Sequence, residues 1–361
     1  MGKVERERLN RELIEHLNTI HETLQVLDQS PAPSLKRTNW KDVIQVGEQI
    51  SKQATNVGML WSGETTEVEV LEENMSAFFN ALQGFLLLAH GSIVGAGPTL
   101  SACIHASIKQ VVDSSFVLMK DTIATYGSHN KSRKNTIPQL VGTVWEACSA
   151  LKKTPSTNIT AIGRALTQTA VSMKDVLREM KELKPSSPDL GDEEVPGESE
   201  TNHDDNDDPF MEDLGNDLSP EEMKVAQLTT NLVSETLVVV KELIRSITGL
   251  VKLEASGNSS DAFIGSLERL LKLCQGIGLQ IDELGASLYP PQEISLIRAS
   301  VEVISSNINE MTMELENLKG LTEDYVKACN GLRIASTQLE SVLGTADVVM
   351  QKMESLAVSD D

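Results

Sequence analysis

Residues 263–318 decide the fold, and they read FIGSLERLLKLCQGIGLQIDELGASLYPPQEISLIRASVEVISSNINEMTMELENL. Apolar residues recur in this stretch at alternating steps of four and three, which places them on one stripe of an α-helix. The first stripe is Phe263, Leu267, Leu270, Cys274, Ile277, Ile281, Leu284 and Leu288; the second is Ile294, Ile297, Val301, Ile304, Ile308, Met311, Leu315 and Leu318. The spacing predicts two long amphipathic helices.

The two stripes are separated by Tyr289, Pro290 and Pro291. A proline lacks the N–H that a helix interior needs, and it pushes the preceding residue out of the helical region, so the first helix should end near Tyr289. Proline is tolerated in the first turn of a helix, so a second helix can begin almost at once. Long helices joined by short turns lie antiparallel, and we therefore interpret these three residues as a structural turn inside a bundle.

The same spacing extends to both sides of this stretch. A third stripe follows Gly320, and the apolar segment 221–254 supplies a fourth helix for the C-terminal part of the chain. Residues 3–183 carry six more stripes, and the short one at 138–151 includes Trp145 among its inward residues. Only 3% of the residues are aromatic, and the alternation typical of strands is lacking. The sequence therefore predicts an all-α protein of two antiparallel helical bundles.

The negative charge is concentrated in one segment. Of the net charge of −22, residues 185–223 carry −15 without any Lys or Arg, whereas residues 1–184 carry +1. A segment so acidic and so poor in large apolar residues cannot bury enough surface to offset its ordering entropy. We therefore expect an N-terminal helical bundle at residues 1–184, an acidic disordered linker at 185–217 and a C-terminal four-helix bundle at 218–361.

The composition speaks against several function classes. Neither bundle has the clustered cationic face that neutralises phosphates, so no direct contact with nucleic acid is expected. The histidines lack metal-ligand spacing, and neither a phosphate-binding loop nor a nucleophile elbow occurs, so we expect no enzyme, no metal site and no cofactor.

The cysteines and the lengths of the apolar runs indicate the cellular compartment in which the protein is expected. Cys103, Cys148, Cys274 and Cys329 form no Cys-x-x-Cys pair and lie in helical patterns, which favours free thiols in a reducing compartment. No apolar run approaches the roughly 20 residues of a membrane span, and the charged start of the chain is unlike a signal peptide. The expectation is a soluble protein of the cytosol or nucleus.

Two features bear on protein partners. Residues 232–253 hold 12 large apolar residues in 22, which is more than one helix face needs. We interpret this segment as a central helix buried on two sides, with a partner-binding seam as the alternative. The tripeptides Arg-Ala-Leu at 164–166 and Arg-Leu-Leu at 269–271 have the Arg-x-Leu form of cyclin-docking peptides, but Leu166 and Leu270 lie on stripes that should be buried.

A regulatory site is expected at the start of the acidic linker. Ser187 is followed by Pro188, which makes a minimal target for a proline-directed kinase. We expect phosphorylation of Ser187 to add charge to a segment that is already acidic.

Three short motifs occur in a characteristic order. Asn-Trp-Lys at 39–41 and Val-Trp-Glu-Ala-Cys at 144–148 lie in the first bundle, and Ala-Ser-Leu-Tyr-Pro-Pro at 286–291 follows the acidic segment. This order resembles the D-type-cyclin-binding family, also called the Grap-and-cyclin-D-interacting family, over residues 38–320. The resemblance implies an all-helical, two-lobed protein that binds D-type cyclins and restrains cell-cycle progression. It also implies a helix-loop-helix protein without a DNA-contacting basic region, which sequesters helix-loop-helix transcription factors and shuttles between nucleus and cytoplasm.

A second function class shares the architecture. Cytoskeletal or scaffold adaptors of the vinculin and catenin type are also built from helical bundles, and a fold alone does not decide function. The leading hypothesis is a non-enzymatic interaction protein. Its partner-binding residues and its oligomeric state do not follow from periodicity, because every apolar stripe also fits the interior of a bundle.

Overall fold

A computed structural model of the chain describes residues 2–27, 35–62, 67–126, 136–185, 218–251 and 260–357. These residues form ten α-helices, namely α1 (Gly2–Leu27), α2 (Trp40–Ser62), α3 (Val68–Ser92), α4 (Pro98–Thr125), α5 (Ile137–Ala150), α6 (Asn158–Met180), α7 (Pro220–Gly249), α8 (Asp261–Ser287), α9 (Ile294–Asn317) and α10 (Glu323–Ala357). A 3-10 turn, Leu151–Lys153, extends α5. Apart from one bridge between Pro185 and Leu218, the described ranges contain no β-structure, which confirms the all-α class.

The stretch 263–318 folds as its spacing predicts. Helix α8 ends at Ser287 and α9 begins at Ile294, so the prolines lie between the two helices. Every residue of the first predicted stripe except Phe263 is fully buried. Burial of this stripe supplies the main force that holds α8 in the bundle.

The packing divides the chain into two compact units. The first comprises Met1–Ile162 and Gly257–Glu268, and the second comprises Gly163–Ser256 and Arg269–Asp361. Both divisions fall inside a helix, because α6 and α8 each contribute residues to the two units. Separate folding of residues 1–184 and 218–361 stays a prediction, and the predicted linker lies, from residue 186 to 217, outside the described residues.

The first unit is built on α1 to α5. Helix α2 packs against α3 and α5, α4 packs against α5, and α1 packs against α3 and α4. The indole nitrogen of Trp40 donates a hydrogen bond to the backbone oxygen of Leu151 at 3.0 Å, which ties the start of α2 to the end of α5. Asn39 caps α2, since its Oδ1 accepts from the backbone nitrogen of Lys41 at 3.0 Å.

The start of α4 is held by residues far along the chain. Gly97 precedes Pro98, and its backbone nitrogen donates to Oδ1 of Asn158 at 2.7 Å. The Glu268 carboxylate caps the helix, accepting from the backbone nitrogen of Thr99 at 2.9 Å and from its hydroxyl at 2.6 Å. A side chain on Gly97 would meet Ile264 and Glu268, with a Cβ only 2.6 Å from Cγ2 of Ile264. Glycine is therefore required here for close approach.

The second unit contains most of α6, α7, most of α8, α9 and α10. Helix α7 packs along α10, which also contacts α9. Helix α7 begins with a capping box, which Ser219 and Glu222 form reciprocally. Of the apolar segment 232–253, the residues up to Gly249 belong to α7. Its buried large apolar residues are Leu232, Val233, Val239, Val240, Leu243, Ile247 and Leu250, whereas Val238 is 41% exposed.

Candidate interaction site

The turn after α8 presents an aromatic ring at the surface. Leu288 is fully buried, whereas the next residue, Tyr289, is 42% exposed. Pro290 and Pro291 follow, joined by a cis peptide bond. Tyr289, Pro290 and Pro291 lie between the end of α8 at Ser287 and the start of α9 at Ile294.

The turn is tied to the beginning of α7 by one side chain. The amide nitrogen of Gln292 donates to the backbone oxygens of Leu288 and of Glu222, each at 3.1 Å. Glu222 also belongs to the α7 capping box, and the hydrogen bond from the backbone of Ser219 lowers the pKa of its carboxyl group. The position of Tyr289 is thus set by a network that joins the start of α7 to the end of α8.

A groove of about 300 Å³ runs beside Tyr289 between α6 and α8. Its lining is Val176, Glu179, Met180, Leu183, Asp282, Gly285, Ala286 and Tyr289. Gly285 permits the two helices to approach, since a Cβ at this position would lie 2.8 Å from Cγ1 of Val176. The groove combines apolar side chains with two carboxylates, Glu179 and Asp282, so it suits an apolar residue that has a basic neighbour.

The residues that flank the acidic segment, Lys184 and Leu218, contact each other, and Lys184 directly follows the groove residue Leu183 in the sequence. Leu183 lines the groove, and the next residue, Lys184, accepts a hydrogen bond at its backbone oxygen from the nitrogen of Leu218 at 3.2 Å. Pro185 and Leu218 form the single β-bridge of the described ranges. Ser187, the predicted phosphorylation site, lies outside the described residues.

Trp145 forms a second exposed aromatic surface, in the first unit. The apolar stripe of α5 predicted an inward position, but this prediction is wrong because the side chain is 45% exposed. Its indole nitrogen donates to the backbone oxygen of Ser51 at 3.1 Å and to the hydroxyl of Thr55 at 3.2 Å. These bonds hold the ring over α2, at the margin of the stripe, with part of its surface open to a partner.

The Arg-x-Leu tripeptides are not presented as docking peptides. Leu166 and Leu270 are fully buried, as expected for core residues. Arg269 instead pairs with Glu314 of α9, with Nη1 2.6 Å from Oε1. Both tripeptides are therefore structural parts of α6 and α8.

Residues with potential chemistry are few in the described part of the chain. No group of three or more His, Cys, Asp and Glu side chains there could hold a metal ion, and no described helix is long and apolar enough to cross a membrane. The four cysteines are free thiols; Cys148 and Cys274 are buried, and burial raises the pKa of each to about 12. Such thiols are poor nucleophiles at neutral pH.

Two determinants of the groove could not be found from the sequence. Gln292 and Gly285 gave no signal of their own, because a glutamine after two prolines and a glycine in a helix are both common. The Glu222 capping motif could have indicated that the start of α7 is well ordered, but it could not show that Gln292 binds there.

Comparison with known families accounts for both halves of the chain. A model described as "Grap2 and cyclin-D-interacting, N-terminal" matches residues 42–186, and one described as "Grap2 and cyclin-D-interacting, C-terminal" matches residues 202–313. Trp145 lies in the first matched segment and Tyr289 in the second. The "Cyclin-D1-binding protein 1 homolog" of Xenopus laevis is 20% identical over 217 residues, which cover 60% of this chain and 60% of that relative.

Proposed function

Because this chain belongs to the Grap2 and cyclin-D-interacting family, we propose that it is a non-enzymatic interaction protein that binds a D-type cyclin and thereby restrains cell-cycle progression. The name of the Xenopus laevis relative, which refers to binding of cyclin D1, supports this proposal. The chain spans 60% of the length of that relative, so the partner is carried over here as a proposal for this chain.

The observation that carries the proposal is the exposure of two aromatic side chains. Within the described ranges, Trp145 and Tyr289 are the aromatic residues among the exposed large apolar side chains. Each belongs to one of the motifs that carry the family resemblance, Trp145 to residues 144–148 and Tyr289 to residues 286–291. Tryptophan and tyrosine in ordered surroundings are enriched among the residues that dominate binding energy at protein interfaces. We therefore assign them as the anchors for the cyclin.

The groove beside Tyr289 adds chemical detail to this assignment. Its apolar lining offers room for an aliphatic side chain, and Glu179 and Asp282 offer a partner for a basic residue. A cyclin segment with a Lys or Arg next to a Leu or Ile fits this description. Charge complementarity of this kind contributes more to specificity and association rate than to affinity.

The helix-loop-helix role is proposed as secondary. It requires a helix of this chain to offer an apolar seam to a transcription factor. The best candidate by composition, α7, buries most of its large apolar residues in the second unit. Sequestering such a factor through α7 therefore requires that unit to open, whereas the aromatic anchors need no rearrangement.

A cyclin regulator must reach its target, so we propose that the protein occurs in both cytoplasm and nucleus. A fluorescent fusion of the full chain, followed through the cell cycle, tests this directly. Strict confinement to a compartment without D-type cyclin would contradict the proposed role.

Binding is tested with the full chain and purified D-type cyclin. We expect Trp145→Ala and Tyr289→Ala each to weaken capture by roughly tenfold or more, the size of effect typical of anchor residues. Matched controls are Val117→Ala in the first unit and Leu279→Ala in the second, since both residues are exposed and apolar but lie outside the motifs.

Circular dichroism melting of each variant separates loss of binding from loss of fold. Equal capture by wild type, Trp145→Ala, Tyr289→Ala and the double variant would overturn the aromatic anchors. No capture by the wild type would overturn the cyclin proposal, and helix-loop-helix factors and actin filaments would be the next baits.

A further inference from the structure

Two pairs of a hydroxyl residue followed by proline lie in the described part of the chain, and they differ in accessibility. In the first, Pro155 is buried and the hydroxyl of Thr154 lies 2.7 Å from the hydroxyl of Ser107. In the second, Pro220 is exposed and Ser219 is half-buried. A proline-directed kinase has to bind both the hydroxyl and the proline ring that follows it. Of the two pairs, the second therefore presents the motif that such an enzyme recognises.

The backbone of Ser219 has the conformation of a kinase substrate. Its φ of −60° and ψ of 161° are extended, because the residue lies just before the first turn of α7. Protein kinases bind the acceptor residue in an extended segment. Pro220 occupies the first turn and has no N–H to contribute, and helix ends fray, so opening of this turn breaks few hydrogen bonds.

The hydroxyl of Ser219 is held by one long hydrogen bond. Its Oγ accepts from the backbone nitrogen of Glu222 at 3.3 Å, which is beyond the usual range for such a bond. The return bond, from the backbone nitrogen of Ser219 to Oε2 of Glu222, is 2.9 Å long. Modification of the hydroxyl therefore removes the weaker half of the capping box, and the stronger half depends on the Glu222 carboxylate.

A phosphate on Ser219 would compete with this carboxylate. The phosphate carries a charge of about −1.5 to −2 at neutral pH, and it would be attached to the residue whose backbone Glu222 contacts. Glu221 adds a second carboxylate in the same turn. A helix N-terminus attracts a phosphate, but Pro220 removes one of the N–H groups that would bind it. Repulsion by the two carboxylates should therefore displace Glu222 and loosen the first turn of α7.

The same turn of α7 holds Gln292. The amide nitrogen of Gln292 donates to the backbone oxygens of Glu222 and Leu288, each at 3.1 Å. Its Oε1 atom is buried and has no hydrogen-bond partner in the described part of the chain. Loss of the Glu222 contact would leave the amide with the bond to Leu288, and the turn at Tyr289 would lose its connection to α7.

We propose that Ser219 is a phosphorylation site for a proline-directed protein kinase, and that its phosphate releases the turn at Tyr289 from the start of α7. The kinase transfers the γ-phosphoryl group of ATP to Oγ of Ser219. The O–H bond of the serine breaks, a catalytic carboxylate of the kinase takes the proton, and ADP leaves. The site is distinct from the one predicted at Ser187, and the proposal does not depend on binding of a cyclin.

The first test is phosphorylation of the folded full chain. Two purified proline-directed enzymes, a mitogen-activated protein kinase and a cyclin-dependent kinase, are each supplied with ATP, and mass spectrometry should locate a phosphate on Ser219. Pro220→Ala should lower the rate at Ser219 by roughly tenfold or more, because it keeps both capping residues and removes the recognised proline. Absence of phosphate on Ser219 with both kinases would overturn the proposal.

Hydrogen exchange tests the structural effect. Phosphorylation should speed exchange by about fivefold in residues 219–223 and 288–292, the increase in opening expected when a helix cap is lost, and should leave α5 unchanged. The control is a Ser219→Ala chain treated with the same kinase, which carries any phosphate placed elsewhere, including on Ser187. Treatment of this variant should not change exchange in the two segments.

Glu222→Gln separates repulsion from loss of the hydroxyl. Glutamine can keep the bond to the backbone nitrogen of Ser219, but it carries no charge to oppose the phosphate. Phosphorylation should therefore speed exchange in residues 288–292 less in this variant than in the native chain, and melting curves show that the variant is folded. Unchanged or slower exchange in this segment of the phosphorylated native chain would contradict release of the turn, and equal acceleration in both chains would contradict repulsion as its cause.

Discussion

Single side chains in this protein stabilise the fold mainly through hydrogen bonds and packing contacts that join different helices. Glu268 lies in the sequence of α8 and caps α4, and Gln292 ties a turn to the start of α7. His16 of α1 stacks on Phe79, with ring centroids 4.9 Å apart, and its Nε2 lies 3.4 Å from the hydroxyl of Ser76. At this scale the structure predicts which substitutions the chain tolerates.

Leu284→Asp should destabilise the second unit by several kcal/mol. Leu284 is fully buried on the apolar stripe of α8, and the substitution puts an unpaired charge there. The control is Leu279→Asp on the same helix, where the side chain is 67% exposed and little change is expected. Thermal melting compares the two, and equal Tm values would show that the register of α8 is wrong.

Glu268→Ala should cost about 1–2 kcal/mol, the usual range for the loss of a helix cap. The backbone nitrogen of Thr99 loses its acceptor, which lies 2.9 Å away in the native chain. Glu283→Ala is the matched control, because Glu283 is an exposed acid on the same helix. Urea unfolding measures both, and a cost confined to Glu283→Ala would contradict the cap.

The attachment of α1 should weaken as the pH falls from 7 to 5.5. Burial lowers the pKa of His16 from its ordinary value of 6.5. The folded chain therefore binds the proton less well than the unfolded chain, and the stability present above pH 6.5 is lost as the pH falls toward the folded pKa.

His16→Gln is the control for this pH effect. It removes the titrating group and leaves Glu72 in place, so the difference between the two chains reports His16 alone. A pH dependence of stability that is the same in wild type and variant would exclude His16 as its source, and an NMR titration of the ring gives the pKa itself.

The helices differ in how closely they approach one another. Gly285 of α8 lies against Val176 of α6, and Gly278 approaches Met173 with a Cβ position 3.6 Å from its methyl carbon. Larger side chains at these positions would separate the helices and alter the groove beside Tyr289. By contrast, Gly265 of the same helix has open space around it.

Gly285→Ala and Gly265→Ala should therefore change stability in opposite directions. The first forces α6 and α8 apart and should cost about 1–3 kcal/mol, as overpacking does. The second replaces a flexible exposed helix residue and should stabilise by about 0.5–1 kcal/mol. Denaturant unfolding of the pair distinguishes them, and stabilisation by both would show that α6 does not pack closely at Gly285.

Packing divides the chain into two units at points within α6 and α8. Residues after Gly163 in α6 belong to the second unit, and Gly257–Glu268 belong to the first. Each unit is therefore made from both sides of the acidic segment. A cut within that segment leaves each fragment with a part of the other fragment's unit.

An engineered protease site between residues 200 and 201 tests this arrangement. After cleavage, the two fragments should stay together in gel filtration, because α6 carries the buried Leu166 and Met173 into the second unit. The uncleaved chain is the control. Two separate, folded fragments would show that residues 1–184 and 218–361 are independent domains, as the charge pattern predicts.

Much of the fold could be predicted because the signals are local. Apolar spacing of four and three marks a helix wherever it occurs, and prolines or capping residues mark its ends; α8, α9 and their turn follow from these rules. The burial of most large apolar residues of α7 follows in the same way. These features depend on the order of neighbouring residues along the chain.

Only the tertiary structure decided which surfaces are buried by which neighbours. An apolar stripe indicates that one face of a helix is buried, but it does not identify the element that covers this face. Trp145 was therefore expected in the interior, whereas it lies at the margin between α2 and α5. The division of α6 and α8 between two units, the Glu268 cap and the groove at Gly285 depend on contacts between residues far apart in sequence. Such contacts leave no periodic trace, since their partners are brought together by packing of whole helices.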